Sequence, residues 1–191
     1  MTEHPLHELI QRRRSGRAFD KRPVAQQTLA QLLEAARWAQ SCFNLQPWRF
    51  VVCAEPQALE KLQAALAGGN SWAKEAPALI AIVSNEALDK VADDGRKYYL
   101  FDTGLAAQNL VLQAVSAGLM CHMMAGFDHD LAKAALGVPD GFEVICLMAV
   151  GYPGDPNALD DAQLRQRESA PRQRKPLEEI ASFGVWNERL G

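Results

Sequence analysis

The sequence predicts an α+β fold, a mixed sheet with helices on both of its faces. Three observations carry this. Four β-rich segments are interleaved with segments of helical spacing. One of them, "ALIAIVS" (Ala78 to Ser84), is a continuous run of strand formers, which implies burial on both faces of a sheet. Two helical segments precede the first strand and the helices are uneven in length, which fits α+β better than a regular doubly wound sheet.

The elements follow in order. Pro5 suits the first position of a helix, on which Leu6, Leu9, Ile10 and Arg13 share one face. A second helix is expected from about Ala25 to Gln40, with Leu29, Leu32, Leu33 and Ala36 as its inner stripe. "RFVVCA" reads as a strand, and Pro56 opens a helix that buries Leu59, Leu62 and Leu66 and stops at Gly68 and Gly69. "YYLFDTGLAAQNLVLQAVSAGL" is apolar nearly all round, so it is buried either in the core or against a partner chain. Its Gly104, Ala106, Ala107 and Ala114 favour the close approach of another helix and point to a dimer interface; a central core helix is the other reading. "LMCHMMA" is a short strand. Asp128 is the expected N-cap of the next helix, which Gly137 ends, and "FEVICLMAVGYPG" is the last strong strand. From about residue 157 to 191 the chain is a polar, basic tail, expected to be extended and to wrap a surface; the whole, 1–191, is read as one domain.

Composition narrows the function. The chain has 191 residues, and a chain near that size buries roughly 70 % of its unfolded surface. A net charge of −3 argues against general nucleic-acid binding. Nothing approaches a membrane-spanning apolar run, and the N-terminus lacks the pattern of a signal peptide. Cys42, Cys53, Cys121 and Cys146 have no CxxC spacing and read as reduced thiols of a cytoplasmic protein. There is no GxGxxG after a strand, no phosphate loop of the GxxxxGK[ST] type and no GxSxG elbow. His4 and His7 near the terminus, and His122 beside Cys121 in a strand, make poor metal sites. An enzyme of this composition would rely on a bound cofactor.

Two features remain. "RRRSGR" sets Arg12, Arg13, Arg14, Ser15 and Arg17 at the end of the first helix, and Arg172, Arg174 and Lys175 form a second basic cluster far along the chain. Cations at a helix C-terminus serve the macrodipole, but arginine forks also bind phosphate oxygens in bidentate fashion. Two such clusters without overall positive charge point to one anionic ligand held from two sides. The second feature is "SCFNLQPW", a connector far richer in polar groups than a turn needs.

These residues resemble a known family. "RRSGRAF", "KRPV" and "EAARWAQSCFNLQPWRFVV" are similar to the opening of the FMN-dependent nitroreductases, and the likeness continues through "APALIAIV", "DTGLAAQNLVLQAVSAGLMCHMMAGFD", "EVICLMAVGYPG" and "RKPLEEI". The resemblance implies a homodimer with FMN at the subunit interface and the C-terminal segment wrapped on the partner. It implies that Arg13, Arg14 and Ser15 hold the FMN phosphate and ribityl chain, completed by Arg172 and Arg174. It places Arg17 near the pyrimidine carbonyl of the flavin, the loop Ser41, Cys42, Phe43, Asn44 and Gln46 against the flavin of the partner, and the backbone of Ala125 and Gly126 at the reactive ring. Cys42, Phe43, Gln40, Ala125 and His122 depart from the residues more frequent in the family. The implied activity is hydride transfer from NADH or NADPH through FMN to an electron-poor acceptor such as a nitroaromatic, quinone or enone, in ping-pong fashion and with no catalytic side chain. A flavin-binding protein that stores, senses or degrades flavin is a second reading, and an interaction domain with solvated arginines a third.

Overall fold

A computed structural model of the chain describes residues 4–90, 92 and 94–191. The elements are α1 (Glu8–Arg12), α2 (Gln26–Arg37), β1 (Trp48–Cys53), α3 (Pro56–Gln63), β2 (Ala78–Ser84), α4 (Tyr99–Ser116), β3 (Met120–Met124), α5 (His129–Leu136), β4 (Glu143–Gly151) and α6 (Ala162–Ser169). The α+β class is borne out. The strands form one sheet in the order β1-β2-β4-β3.

The sheet is antiparallel at all three pairings rather than mixed. The reason lies in the crossover. Helix α4 carries the chain from β2 to β3 in the same direction, but leaves a gap one strand wide. β4 fills that gap running the other way, so no two parallel strands touch.

Every residue of β2 is buried, as its sequence requires. Ala78, Ile80 and Ile82 enter one core with Leu29, Leu32, Leu110 and Met148, beneath α2 and α4. Leu79, Ala81 and Val83 enter the other with Leu62, Trp72, Leu147 and Phe127, beneath α3 and α5. This is the period of two along a strand made visible in two separate cores. Asp128 caps α5 by accepting the Leu131 N–H at 2.9 Å, and Gly137 leaves it at φ 64°, both as expected.

Several expectations change. α1 is one short turn, and Leu6 and Ile10 stay exposed because the helix packs inward chiefly through Leu9. Arg13 is already outside α1, at ψ 124°, so the arginines fan out because the chain leaves the helix there. Ala106, Ala107 and Ala114 are buried within their own chain, where α4 lies on the sheet and α2. Only Gly104 of the four small residues faces outward. α3 stops at Gln63, short of the expected end at Gly68 and Gly69, and these two glycines instead open a 3₁₀ stretch, Gly68–Glu75, that buries Trp72 and Ala73. The tail is not extended throughout. α6 forms in it, capped by Asp161 on the Gln163 N–H at 2.6 Å and seated through Leu164.

Candidate functional site

The turn "RRSGR" and the C-terminal cluster, about 160 residues apart in the chain, meet in space. Arg172 donates to the carbonyls of Ile10 (3.3 Å), Arg13 (2.7 Å) and Gln11, closing the C-terminal end of α1. Arg14 donates to the carbonyls of Glu168 (3.3 Å) and Ala170 (2.6 Å). Arg13 donates to Ser15 Oγ at 3.1 Å. Partial burial, and then the charges of Arg172, Arg174 and Arg14, push the Arg13 guanidinium below its ordinary value. Among the described residues none of these four arginines has a carboxylate partner. These four like charges meet backbone carbonyls and the Ser15 hydroxyl.

Arg17 turns the other way. Its backbone N–H donates to Glu168 Oε2 at 2.8 Å, its guanidinium lies 4.0 Å from the same oxygen, and it sits 5.9 Å from the Trp72 ring centroid. The Glu168 carboxylate also receives the Ala18 N–H at 3.5 Å. Gly16 lies between them, and a Cβ there would meet Met120 Sδ at 2.2 Å and Glu168 Oε1 at 2.4 Å. The Gly16 carbonyl bonds His122 Nδ1 at 2.9 Å, and the His122 ring packs on Trp72 at 4.5 Å. Burial holds His122 below the usual imidazole value, against the hydrogen bond to the Gly16 carbonyl. Cys121, on the opposite face of β3, is pushed up to about 12 by burial.

The connector is a strained loop. Phe43, Asn44 and Gln46 have φ of 49°, 57° and 50°, and they are the only non-glycine residues at positive φ among those described. Such conformations cost about 1–3 kcal/mol each and persist where surrounding contacts over-determine them. Those contacts are few, and all but two of them, from Asp102 and Lys90, lie within the loop or next to it. Ser41 Oγ accepts the Gln46 N–H at 3.0 Å, and Gln46 Nε2 donates to Asn44 O and Oδ1 at 3.1 and 3.2 Å. Asp102 Oδ2 accepts the Cys42 N–H at 2.8 Å. The Phe43 ring is 72 % exposed and lies under Lys90 Nζ at 4.0 Å. Pro47 and Trp48 are core, and the Pro47 carbonyl accepts from the buried Ser84 at 2.7 Å.

Ala125 and Gly126 follow β3 and are exposed. The Gly126 carbonyl accepts from Ala67 N (3.1 Å) and Asn70 Nδ2 (2.8 Å), and a Cβ at 126 would lie 2.9 Å from that amide. The structure thus joins the arginines to Ser15 in one cluster, and holds the 41–46 loop and the 125–126 turn in separate, exposed settings. Sequence reasoning passed over Glu168, Asp102, Asn70 and Trp72. The last two sit in the unforeseen 3₁₀ stretch. A signal for Asp102 was present: it is the only charged residue of α4.

Known proteins share this architecture. A model of the nitroreductase family matches residues 10–71 and 55–152. An NADH dehydrogenase of Thermus thermophilus is 30 % identical over 199 aligned positions, covering 88 % of this chain and 91 % of that protein. A crystal structure described as an oxidoreductase containing FMN superposes with a TM-score of 0.88 at 34 % identity, over 98 % of this chain and 96 % of that one. A nitroreductase family protein of Clostridium difficile superposes at 0.77 with 27 % identity, over 94 % and 98 %. With matches over this much of its length, on the same sheet and the same helices, the chain belongs to the nitroreductase family.

Proposed function

We propose that the protein is an FMN-dependent oxidoreductase that moves hydride from NADH or NADPH to an electron-poor acceptor, a nitroaromatic, quinone or enone, admitting reductant and acceptor in turn to one pocket. The observation that carries this is the cluster of Arg13, Arg14, Arg172 and Arg174, free of carboxylates and built from both ends of the chain. A phosphate monoester fits that donor set, with charge-assisted and bidentate hydrogen bonds available from several sides.

The remaining residues fit the rest of the group. Ser15 adds a hydroxyl beside the cluster. Arg17 supplies a fixed positive charge for the pyrimidine end of the flavin, where reduction builds negative charge. Gly126 is exposed, which leaves its backbone accessible to a flat ring system, while Asn70 fixes its carbonyl. Ser41, Cys42, Phe43, Asn44 and Gln46 are assigned to the flavin of a second subunit. When bound, FMN supplies the hydride transfer between nicotinamide and acceptor. The chain contributes binding, orientation and charge, and no proton donor is assigned.

Dimerisation is supported by apolar surface that one chain leaves uncovered. Phe101 is 65 % exposed on α4, and Phe183 and Trp186 on the tail are 100 % and 75 % exposed. A groove of about 660 Å³ between α1, α2 and α4, lined in part by Leu9, Ala35, Trp38 and Leu112, offers a surface for a second copy. Among the described residues no helix is long and apolar enough to cross a membrane, and none group to hold a metal ion.

The test is spectroscopic. Protein purified and reconstituted with FMN should show a flavin spectrum that bleaches on anaerobic addition of NADH or NADPH and returns on addition of an acceptor. A bound flavin that neither nicotinamide bleaches would overturn the oxidoreductase reading in favour of a flavin-storing or flavin-degrading protein. A protein with no affinity for FMN would overturn both.

A further inference from the structure

Asp102 is the only buried carboxylate among the described residues, with 3 % of its surface exposed, and its place on α4 gives it no partner of opposite charge. It spends Oδ2 on one contact outside its own helix, the Cys42 N–H at 2.8 Å. That N–H opens the short 3₁₀ turn Cys42–Asn44, within and just beyond which lie all three left-handed non-glycine residues of the described chain. A buried carboxylate is costly to keep unless it is hydrogen-bonded, and a strained turn relaxes unless something outside it holds it. Each of these two costs finds its compensation in the other.

We propose that Asp102 is the positioning residue of the 41–46 loop: it anchors Cys42 to α4 and so keeps Phe43, Asn44 and Gln46 in the left-handed conformation. The role rests on the reading that this loop belongs to a flavin site. The other ties do not replace the anchor. The bond that Ser41 Oγ accepts and those that Gln46 Nε2 donates lie inside the loop and move with it, the Arg49 guanidinium on β1 reaches only the last carbonyl of the loop, that of Gln46, at 3.1 Å, and the Lys90 contact reaches only the exposed Phe43 ring. Because α4 also carries the outward Phe101 and Gly104, the anchor ties the loop to the helix assigned to the subunit interface.

The experiment compares wild type, Asp102→Ala, Asp102→Asn and Asp102→Glu by hydrogen exchange of the apo protein and by FMN titration. Asp102→Ala should speed exchange of the amides of residues 42–46 at least tenfold, leave the amides of β2 and β4 within twofold, and weaken FMN at least tenfold. Asp102→Asn keeps a carbonyl oxygen for the Cys42 N–H and should stay within threefold of wild type in both. Exchange and FMN affinity unchanged in Asp102→Ala overturn the proposal, as does exchange that rises equally in the loop and the sheet, which marks a role in global stability alone. If Asp102→Ala does not fold, Asp102→Glu decides: its oxygen is displaced by one methylene, so a loosened loop beside a normal Asp102→Asn supports the anchor and a normal loop overturns it. Wild type that fails to bind FMN overturns the flavin reading, while the apo exchange result still judges Asp102.

Discussion

Arg13 shows how a single residue acquires a role from neighbours distant in the chain. Burial and the charges of Arg172, Arg174 and Arg14 all disfavour its protonated form, so an anion placed there relieves repulsion as well as accepting hydrogen bonds. Arg13→Ala should weaken FMN by about 1.5–3 kcal/mol, the range for a hydrogen bond to a charged group, read by flavin-fluorescence titration at constant ionic strength. An affinity equal to wild type removes Arg13 from the site. His122 gives a pH signature. Burial first, and Arg17 second, lower its pKa, with the Gly16 hydrogen bond and Glu168 opposing. The folded state therefore binds fewer protons than the unfolded state just below the unfolded value of about 6.5. The stability this provides is complete above that value and is lost as pH falls through the folded pKa. Melting temperature should drop as pH falls below about 6.5 in wild type, and less steeply in His122→Asn. Equal slopes would show that His122 does not titrate with folding.

Among the elements, α6 matters more than its polar sequence indicates. It delivers Glu168 to the turn after α1, where one carboxylate receives two backbone N–H groups and faces Gly16 at contact distance. Glu168→Ala leaves those donors without their acceptor and should lower stability by about 1.5–3 kcal/mol in urea unfolding. Glu168→Gln retains an acceptor oxygen and should lose less. If both variants match wild type, α6 does not hold the turn. The 3₁₀ stretch Gly68–Glu75 has a similar part on the other side, bringing Trp72 under His122 and Asn70 to Gly126. α4 has two functions divided by face: its small residues seat it on the sheet, while Leu100, Phe101 and Gly104 remain outside.

For the whole molecule, the C-terminal segment combines two properties. It returns Arg172 to cap α1, and it then exposes Leu177, Ile180, Phe183, Val185 and Trp186. That much uncovered apolar surface in so short a segment marks an interaction site. Ending the chain after residue 170 should therefore have two effects at once: loss of Arg172 and Arg174 weakens FMN at least tenfold, and loss of the apolar segment shifts sedimentation from dimer toward monomer. A truncated chain that stays fully dimeric would assign the interface to α4 and the α1–α2–α4 groove instead.

The sequence by itself determined the elements whose signal is local. The two-sided burial of β2, the cap of α5 at Asp128 and its end at Gly137, and the inner stripe of α2 are all set by neighbours within a few residues. It also made the basic residues and the polar connector conspicuous, because charge and side-chain amides in such places have no packing purpose. Tertiary structure alone decided how the strands pair, since β4 entering between β2 and β3 is a matter of which gap is open. It decided that the alanines of α4 face inward, because a helix apolar on every side carries no record of which side is covered. It also decided that Asp102 and Glu168 hold the two loops of the candidate site. Their partners lie 60 and 151 residues away along the chain, and a backbone N–H leaves no trace in the sequence to show which carboxylate will accept it.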